Sequence, residues 1–179
     1  MLIIYREKKE LQNQELLVLE RNEINHIKAL RLKDDDEILV SDGEGKAYKS
    51  KLKYPDKLII NYKEIILEQK KQNVTICSAI PSGNRLEKMI DMAVQLGITN
   101  YIPVIYRYSE RKDFSIERIK KIIRQASSQC GRLTLANIYA PIRFQDIFQY
   151  YKHKIMLFAD KNPEHKISFN ELVQISKRK

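Results

Sequence analysis

Arginine and lysine are the side chains whose number and position in this sequence best indicate a chemical role. The chain of 179 residues carries 33 Lys and Arg against 23 Asp and Glu. Residues 1–70 hold 14 of each sign, whereas residues 71–179 hold 19 basic and 9 acidic residues. Between Arg107 and Arg132 there are eight basic residues and three acidic ones. A basic field concentrated in this way favours nucleic acid as a partner, and a solvated helix face on a lysine-rich protein is the alternative.

Other kinds of chemistry have little support in the residue pattern. Three scattered histidines and two cysteines, Cys77 and Cys130, show no metal-ligand spacing, so we expect no metal. Thiols at unrelated positions are typical of a reduced, cytoplasmic protein. No apolar stretch approaches the roughly 20 residues needed to cross a bilayer, so we expect no membrane partner.

Residues 74–97 carry the clearest structural pattern. A β-branched apolar run over 74–80 is followed by a helical period that buries one face. Asn84 is predicted to cap this helix with Glu87 as its capping-box partner, and Gly97 to end it. A second apolar run over 101–105 completes a βαβ unit, which predicts a parallel sheet. The apolar stripe of the helix consists of Leu86, Met89, Ile90, Ala93 and Val94.

A turn and a second helix bring basic residues to this framework. The turn Pro81-Ser82-Gly83 precedes a helix N-terminus, which can receive an anion, although an ordinary strand–helix turn is the interpretation we favour. Ser115 is predicted to cap the second helix, whose outer face presents Arg118, Lys121 and Arg124. Its inward positions are Ile116, Ile119, Ile122, Ile123, Ala126 and Cys130. The pattern beyond it predicts strands over 137–140 and 154–159, a helix from 144 to 151, and a last helix with Ser168 and Glu171 as its capping box.

The first 70 residues are predicted to form a β-rich domain of the small-barrel type, and the polar stretch 68–73 is predicted to mark its boundary. Residues 48–54 alternate, so Lys49, Lys51 and Lys53 share one strand face. These lysines could bind a phosphate backbone or protect an exposed sheet from aggregation, and the sequence favours neither role over the other. The other predicted elements are strands over 2–5, 16–19, 37–40, 58–62 and 65–67 and a helix over 22–32.

Several short motifs lie in order along roughly residues 20–160. They are His26-Ile27 with Leu30-Arg31-Leu32, Asp42-Gly43-Glu44-Gly45 with Tyr48, Arg85-Leu86-Glu87 with Ala93-Val94 and Leu96-Gly97, Pro103, and Gln129-Cys130-Gly131-Arg132. In order and spacing the chain resembles the bacterial small-subunit ribosomal RNA methyltransferase E family, which belongs to the knotted SPOUT class.

The resemblance implies an α/β protein with two domains. Residues 1–70 would form a PUA-like RNA-binding β-barrel, and residues 71–179 a SPOUT-type (α/β knot) parallel-sheet domain that forms a homodimer. The implied reaction is S-adenosylmethionine-dependent methylation of N3 of a specific uridine in 16S rRNA of the small ribosomal subunit, in the cytoplasm. Because uracil N3 carries a proton, the transfer requires a base or an arginine that stabilises the uracil oxyanion.

The resemblance also suggests residue roles. Arg132 is predicted to be catalytic through contact with substrate or cofactor, and Glu87 to cap a helix rather than act as a catalytic acid. For both Arg132 and Arg85, which lie at positions that match the family's motifs, the alternative to a functional role is an ordinary surface arginine. The predicted RNA-binding residues are Arg85, Lys49, Lys51, Lys53, Arg107, Arg111, Arg118 and Arg124.

The sequence up to Lys179 contains no Gly-Pro-Glu-Gly-Gly loop, which in the family builds the knot and most of the cofactor pocket. We therefore expect the SPOUT domain to be incomplete and S-adenosylmethionine to bind weakly or not at all. The alternative function is a non-catalytic rRNA-binding or ribosome-associated remnant of the family. A third interpretation is a binding module unrelated to RNA, whose positive charge only keeps it in solution.

Overall fold

The computed structural model describes residues 2–11, 15–67, 73–150, 156–159, 166–168, 170, 171 and 174. Residues Met1–Phe144 form one compact unit and Gln145–Lys179 a second. The predicted domain boundary over 68–73 lies almost entirely outside the described residues and stays a prediction.

The N-terminal part is an open half-barrel, a five-stranded mixed sheet with one helix. Its strand order is β1-β3-β4-β5-β2, and the β1–β3 pair is parallel whereas the other pairs are antiparallel. The predicted β-rich character of this part is confirmed. Its elements are β1 (Ile3–Tyr5), β2 (Leu16–Val18), α1 (Arg21–Ala29), β3 (Glu37–Ser41), β4 (Lys46–Lys53) and β5 (Lys57–Leu67).

Alternating side chains fill the interior of the half-barrel. Ser50 and Leu52 of β4 are buried, as the alternation predicts, and they pack beside the buried strand β3. The two strands predicted over 58–62 and 65–67 are one strand, β5, with an irregularity opposite Tyr48 and Lys49. Extra residues in β5 interrupt the ladder there without ending the strand, which local sequence could not distinguish from a turn.

The second sheet is parallel and carries two helices. β6 pairs with β7, and β7 with both β8 and β9, all in parallel register. β8 and β9 lie along successive halves of β7, separated by three residues that end in Pro141, which has no N–H to donate. The elements are β6 (Thr75–Ser78), α2 (Arg85–Gln95), β7 (Asn100–Ile105), α3 (Ile116–Gln129), β8 (Asn137–Ile138) and β9 (Ile142–Arg143). Helix α4 (Phe144–Tyr150) follows β9 along the chain, and all but its first residue belongs to the second unit.

The apolar stripes of α2 and α3 form the core of this layer, but two of the inward positions predicted for α3, Ile116 at its first residue and Cys130 beyond its end, are exposed. Ile119, Ile123 and Ala126 are buried as predicted, but Cys130 is exposed and Ser127 is fully buried. Cys130 is the C-cap of α3, with φ −95° and ψ 10°. Because the chain leaves the helical path at this residue, the 3.6-residue period no longer sets the direction of its side chain.

The predicted caps had mixed outcomes. Ser115 accepts the Arg118 N–H at 3.3 Å, and Ser168 with Glu171 forms the predicted capping box. The Asn84 capping box is wrong. Asn84 has ψ 1° instead of the extended conformation of a side-chain cap, and it makes no capping hydrogen bond.

The half-barrel and the parallel layer are joined by the segment that follows α3. The Tyr5 hydroxyl donates to the Arg132 carbonyl at 2.6 Å, and the Ser41 hydroxyl to the Leu133 carbonyl at 2.8 Å. Leu135 N–H donates to the Gly43 carbonyl at 2.8 Å. Gly43 has φ +74°, and a Cβ there would lie 3.0 Å from the Leu135 side chain, so this contact requires glycine.

The predicted strand over 154–159 is not observed in its described part. Residues 156–159 belong to no backbone ladder, and residues 154 and 155 lie outside the described residues. An apolar run becomes a strand only where a neighbouring backbone supplies hydrogen bonds.

Candidate nucleic-acid interface

The topology brings four of the predicted RNA-binding arginines to one edge of the parallel sheet. α2 follows β6 and α3 follows β7 in parallel crossovers, so both helices begin at the carboxyl edge. Parallel α/β sheets build their binding sites at this edge. The arginines placed there, in or beside the segments that follow β6 and β7, are Arg85, Arg107, Arg111 and Arg118.

A cavity of about 230 Å³ lies between the beginnings of α2 and α3. Arg111 spans the two loops beside it, since its Nε donates to the Asp113 carbonyl at 3.0 Å and its Nη1 to the Pro81 carbonyl at 3.4 Å. Both acceptors are neutral, so these bonds hold the Arg111 guanidinium without neutralising it. The cavity is lined by Gly83, Asn84, Leu86, Glu87, Arg111, Phe114, Ser115, Arg118 and Ile119.

The first turns of both helices contribute to the charge at this cavity. Arg85 is the first residue of α2 and is exposed, and Arg118 lies in the first turn of α3, with its Nε 2.5 Å from Glu87 Oε1. The helix dipole disfavours cations at both positions. The N-terminal N–H groups of α2 also lack a side-chain cap, because Asn84 does not provide one. An anion at this edge would satisfy both the N–H groups and the arginines.

Tyr108 is a feature of this edge that the sequence analysis missed. Its ring is 84% exposed, and the Arg107 guanidinium carbon lies 5.3 Å from the ring centroid. An exposed aromatic ring beside basic side chains is the arrangement on which unpaired RNA bases stack. The sequence did contain a signal for this site, because Tyr106, Arg107 and Tyr108 alternate aromatic and basic side chains directly after a predicted strand.

Two of the three predicted lysines of β4 are paired with carboxylates, as Arg118 is, whereas Arg85, Arg107 and Arg111 make no ion pair within the described residues. Lys49 lies 3.2 Å from both Glu37 and Glu64, and Lys53 lies 2.7 Å from Asp35. Hydrogen bonds to Glu64 and Asp35 are the main cause of the raised pKa values of Lys49 and Lys53. Lys51 makes no ion pair with any described residue. The strand face is therefore largely neutralised by its own neighbours.

Arg132 lies at the opposite edge of the sheet, where α2 and α3 end. Its side chain is 7% exposed, and its Nη1 donates to the carbonyls of Val94 at 2.7 Å and Ile98 at 2.9 Å. Nε and Nη2 are buried without a hydrogen-bond partner among the described residues. The 11 residues of α2 separate this edge from Arg85 by about 16 Å along the helix axis. The structure therefore does not bring Arg132 to the other arginines, and its catalytic role stays a prediction.

Arg124 lies outside the cavity. It is exposed on α3, six residues beyond Arg118 and about 9 Å further along the helix. Its predicted contact with RNA needs a ligand that extends along α3.

The residues at the carboxyl edge do not fit S-adenosylmethionine. The cavity of about 230 Å³ is below the range of about 300–1,000 Å³ typical of sites that enclose a ligand of this size. Its charged lining residues are Arg111, Arg118 and Glu87, so the lining is net positive and disfavours the sulfonium and ammonium groups of the donor.

The described part of the chain offers neither a metal site nor a membrane-spanning helix. No cluster of three or more His, Cys, Asp or Glu there could hold a metal ion. No helix in the same residues combines the length and apolar character needed to span a membrane.

Comparisons with known proteins agree with this architecture. A family model described as an RNA methyltransferase domain matches residues 68–179, and one described as an RNA methyltransferase PUA domain matches residues 19–61. The chain is similar to ribosomal RNA small subunit methyltransferase E of Rickettsia conorii, with 29% identity over 177 residues, 97% of this chain and 71% of the relative. Its counterpart in Aquifex aeolicus is 26% identical over 150 residues, 79% of this chain and 65% of the relative.

Solved structures show the same fold. Ribosomal RNA small subunit methyltransferase E of Neisseria gonorrhoeae, bound to S-adenosyl methionine, has a TM-score of 0.66 at 23% identity, covering 92% of this chain and 66% of that one. A probable rRNA methyltransferase from Porphyromonas gingivalis has a TM-score of 0.69 at 19% identity, and the match covers 83% of this chain and 63% of that one. The expected PUA-like half-barrel followed by a SPOUT-type α/β sheet is confirmed. The chain spans about two thirds of the length of these relatives.

Proposed function

Because the chain belongs to the RNA methyltransferase family, whose domain model matches residues 68–179, we propose that it acts in the S-adenosylmethionine-dependent methylation of N3 of a specific uridine in 16S rRNA. The names of the Rickettsia conorii and Aquifex aeolicus relatives support a substrate in the small ribosomal subunit. Of the three interpretations drawn from the sequence, the binding module unrelated to RNA is the weakest, because the chain belongs to a family of RNA methyltransferases. S-adenosylmethionine is the cofactor of the family.

The observation that carries the proposal is the convergence of arginines at the carboxyl edge. Arg85 and Arg118 occupy helix first turns, where the dipole opposes a cation, and Arg111 keeps its charge beside them. Glu87 already pairs with Arg118, so phosphate groups of rRNA would offset the charge of Arg85 and Arg111. Tyr108, exposed at the same edge, offers a surface on which an unpaired base can stack.

The described residues supply the RNA-binding part of the reaction. Holding the target nucleotide in one orientation is a large part of catalysis when the chemistry is a direct transfer between two bound groups. No described residue at this edge is placed to hold the methyl donor, so binding and orienting the rRNA is the contribution we propose for them.

We also propose that the protein works in the cytoplasm as a homodimer. The location follows from its rRNA substrate, and both cysteines are free thiols. Burial raises the pKa of the half-buried Cys77 thiol, which keeps it protonated and unreactive at neutral pH. The dimer follows from the resemblance to the knotted class, and light scattering on the purified chain measures it directly.

The test is an assay with protein-free 16S rRNA and S-adenosylmethionine labelled in its methyl group. Label at N3 of one uridine, with the donor in excess, supports the proposal. Salt-sensitive rRNA binding with no label incorporated would overturn the catalytic part and identify an rRNA-binding protein instead. Absence of any rRNA binding would overturn the whole proposal.

Donor affinity is measured separately by calorimetry. Because the lining of the edge cavity does not suit S-adenosylmethionine, we expect this chain to bind it more weakly than the micromolar range. Micromolar binding would show that the donor site is built by other residues of the chain.

A further inference from the structure

A second cavity, of about 450 Å³, lies in the half-barrel at the C-terminal end of α1. Its volume falls within the range of about 300–1,000 Å³ typical of ligand sites. None of its residues was predicted to bind RNA. It is lined by Lys28, Arg31, Leu32, Lys33, Asp34 and Tyr54.

The positive charge of this cavity is not neutralised by its own acidic residue. Asp34 accepts the Tyr54 N–H at 2.8 Å through Oδ1, and its Oδ2 lies 3.6 Å from Lys53 Nζ. Its carboxylate is thus already engaged by groups outside the basic cluster. Lys28, Arg31 and Lys33 are exposed, and none forms an ion pair with a carboxylate in the described part of the chain.

Arg31 occupies a backbone position that ordinarily favours glycine. Arg31 has φ +57° and occupies the position after the C-cap of α1, where its N–H donates to the Lys28 carbonyl at 3.0 Å. Leu32 N–H donates to the Ile27 carbonyl at 3.2 Å, which completes a Schellman motif. This left-handed position favours glycine.

α2 and α3 end in the same motif, with glycine at this position. Gly97 follows α2 with φ +100°, and Gly131 follows α3 with φ +72°. α1 therefore carries a strained arginine where the fold elsewhere uses the unstrained residue. The dipole accounts for a cation such as Lys28 within the last turn of α1, but not for the choice of arginine over glycine at Arg31.

Tyr54 adds an aromatic surface to this cluster. Its side chain is 52% exposed, and its backbone is held in place by the hydrogen bond to Asp34. An exposed ring beside cations that make no ion pair within the described residues is suited to bind single-stranded nucleic acid, by stacking a base and pairing the flanking phosphates.

We propose that this cavity binds one nucleotide of a single-stranded RNA segment, with its base on Tyr54 and its phosphates on Arg31 and Lys33. The inference rests on the proposed function, for which it supplies an RNA contact separate from the carboxyl edge. Five of the six lining residues are exposed, so the cavity is open to solvent. An open basin suits a strand that passes across it and is held at other points, whereas a free nucleotide requires enclosure.

The test uses the full chain and a short, fluorescently labelled single-stranded RNA with a 16S rRNA sequence, measured by anisotropy. Arg31→Gly is the main variant, because it removes the guanidinium and also relieves the backbone strain. We expect its affinity for the RNA to fall about fivefold to tenfold, while its melting temperature equals or exceeds that of the parent. The dependence of binding on salt should weaken as well, since fewer counterions are released.

Tyr54→Leu tests the stacking contact, with Tyr54→Phe as the matched control that keeps the ring. A loss of about fivefold or more is expected for leucine and less than about twofold for phenylalanine, which still stacks. Lys63→Ala, on an exposed lysine of β5, controls for the loss of one positive charge and should change affinity by less than about twofold.

The outcomes separate this inference from the proposed function. If Arg31→Gly and Tyr54→Leu bind RNA like the parent while Arg85→Glu binds it more weakly, the cavity proposal is overturned and the proposed function stands. If the parent binds no RNA, both are overturned. If free uridine monophosphate competes as strongly as the oligonucleotide, the site holds a free nucleotide and the assignment to a strand is wrong.

Discussion

The two edges of the parallel sheet use arginine in opposite ways. At the carboxyl edge, Arg85 and Arg118 lie in helix first turns, where the dipole opposes positive charge. At the amino edge, Arg132 lies where the same helices end, and its guanidinium donates to the Val94 carbonyl near the end of α2 and to the Ile98 carbonyl just beyond it. The dipole thus stabilises Arg132 in the fold and disfavours the other two. An anionic ligand would account for Arg85 in its exposed first turn, and Glu87 compensates Arg118, whereas two backbone carbonyls account for the buried Arg132.

Removal of the Arg132 side chain is expected to have the largest effect. Arg132→Leu should lower the free energy of unfolding by about 3 kcal/mol, because two buried carbonyls lose their donor. Urea unfolding measures this loss, and Arg124→Leu, on an exposed arginine of α3, should stay within about 0.5 kcal/mol of the parent. Unchanged stability together with lost methylation would return Arg132 to the catalytic role predicted from the sequence.

Reversing the charge of one arginine at the carboxyl edge is expected to have the second largest effect, on rRNA affinity. Arg85→Glu should weaken binding of 16S rRNA about tenfold and lower the slope of log affinity against log salt by about 1. An acidic residue is favourable in the first turn of a helix, so the same variant should unfold at an equal or higher urea concentration. Lys63→Glu on β5 controls for net charge. Equal losses for both variants would mean that only the total charge of the protein matters.

The Tyr5 hydroxyl at the amino edge predicts a pH dependence. Burial is the main reason that the pKa of Tyr5 is raised above its ordinary value, so the folded protein keeps a proton that the unfolded chain loses above about pH 10. Stability is therefore retained below that pH and falls above it, by at most about 1.4 kcal/mol per pH unit from this group.

Tyr5→Phe isolates this effect. At neutral pH the variant should lose about 1 kcal/mol, because the hydrogen bond to the Arg132 carbonyl is absent. The difference in unfolding free energy between parent and variant should shrink as pH rises above about 10. A difference that is constant with pH would show that Tyr5 does not carry the dependence. Tyr101, whose pKa burial also raises, contributes equally to both proteins.

The lysines of β4 are expected to show the smallest effect. Lys49→Ala and Lys53→Ala should change rRNA affinity by less than about twofold, since nearby carboxylates already offset both charges. Lys51→Ala, which removes a lysine without an ion pair in the described chain, should have the larger effect of the three. A tenfold loss for Lys49→Ala would place the RNA on this strand face rather than at the carboxyl edge.

Much of the fold could be predicted because it depends on local periodicity. The βαβ unit over residues 74–105, the Ser115 cap and the glycine that ends each of α2 and α3 follow from patterns within one or two helical turns. The prediction was wrong at positions whose conformation depends on the end of a helix or on a neighbouring strand, which the local sequence pattern does not contain. Cys130 left the helical path at a cap, and the irregularity in β5 depends on the strand beside it.

The candidate binding sites also divide into features that local sequence predicts and features that depend on the folded structure. Sequence spacing could not reveal that Glu37 and Glu64 flank Lys49, because cross-strand register decides which charges meet. Nor could it indicate that Tyr54 lies beside Arg31, which is distant in sequence, or that Arg132 turns inward.

By itself, the sequence determined the element types, the uneven distribution of charge and the ordered motifs that indicate the family. These depend on residue type and short spacing, which the chain carries whatever its neighbours are. Only the tertiary structure decided which arginines remain available to a ligand, since that depends on the carboxylates, carbonyls and helix ends that folding places beside each of them.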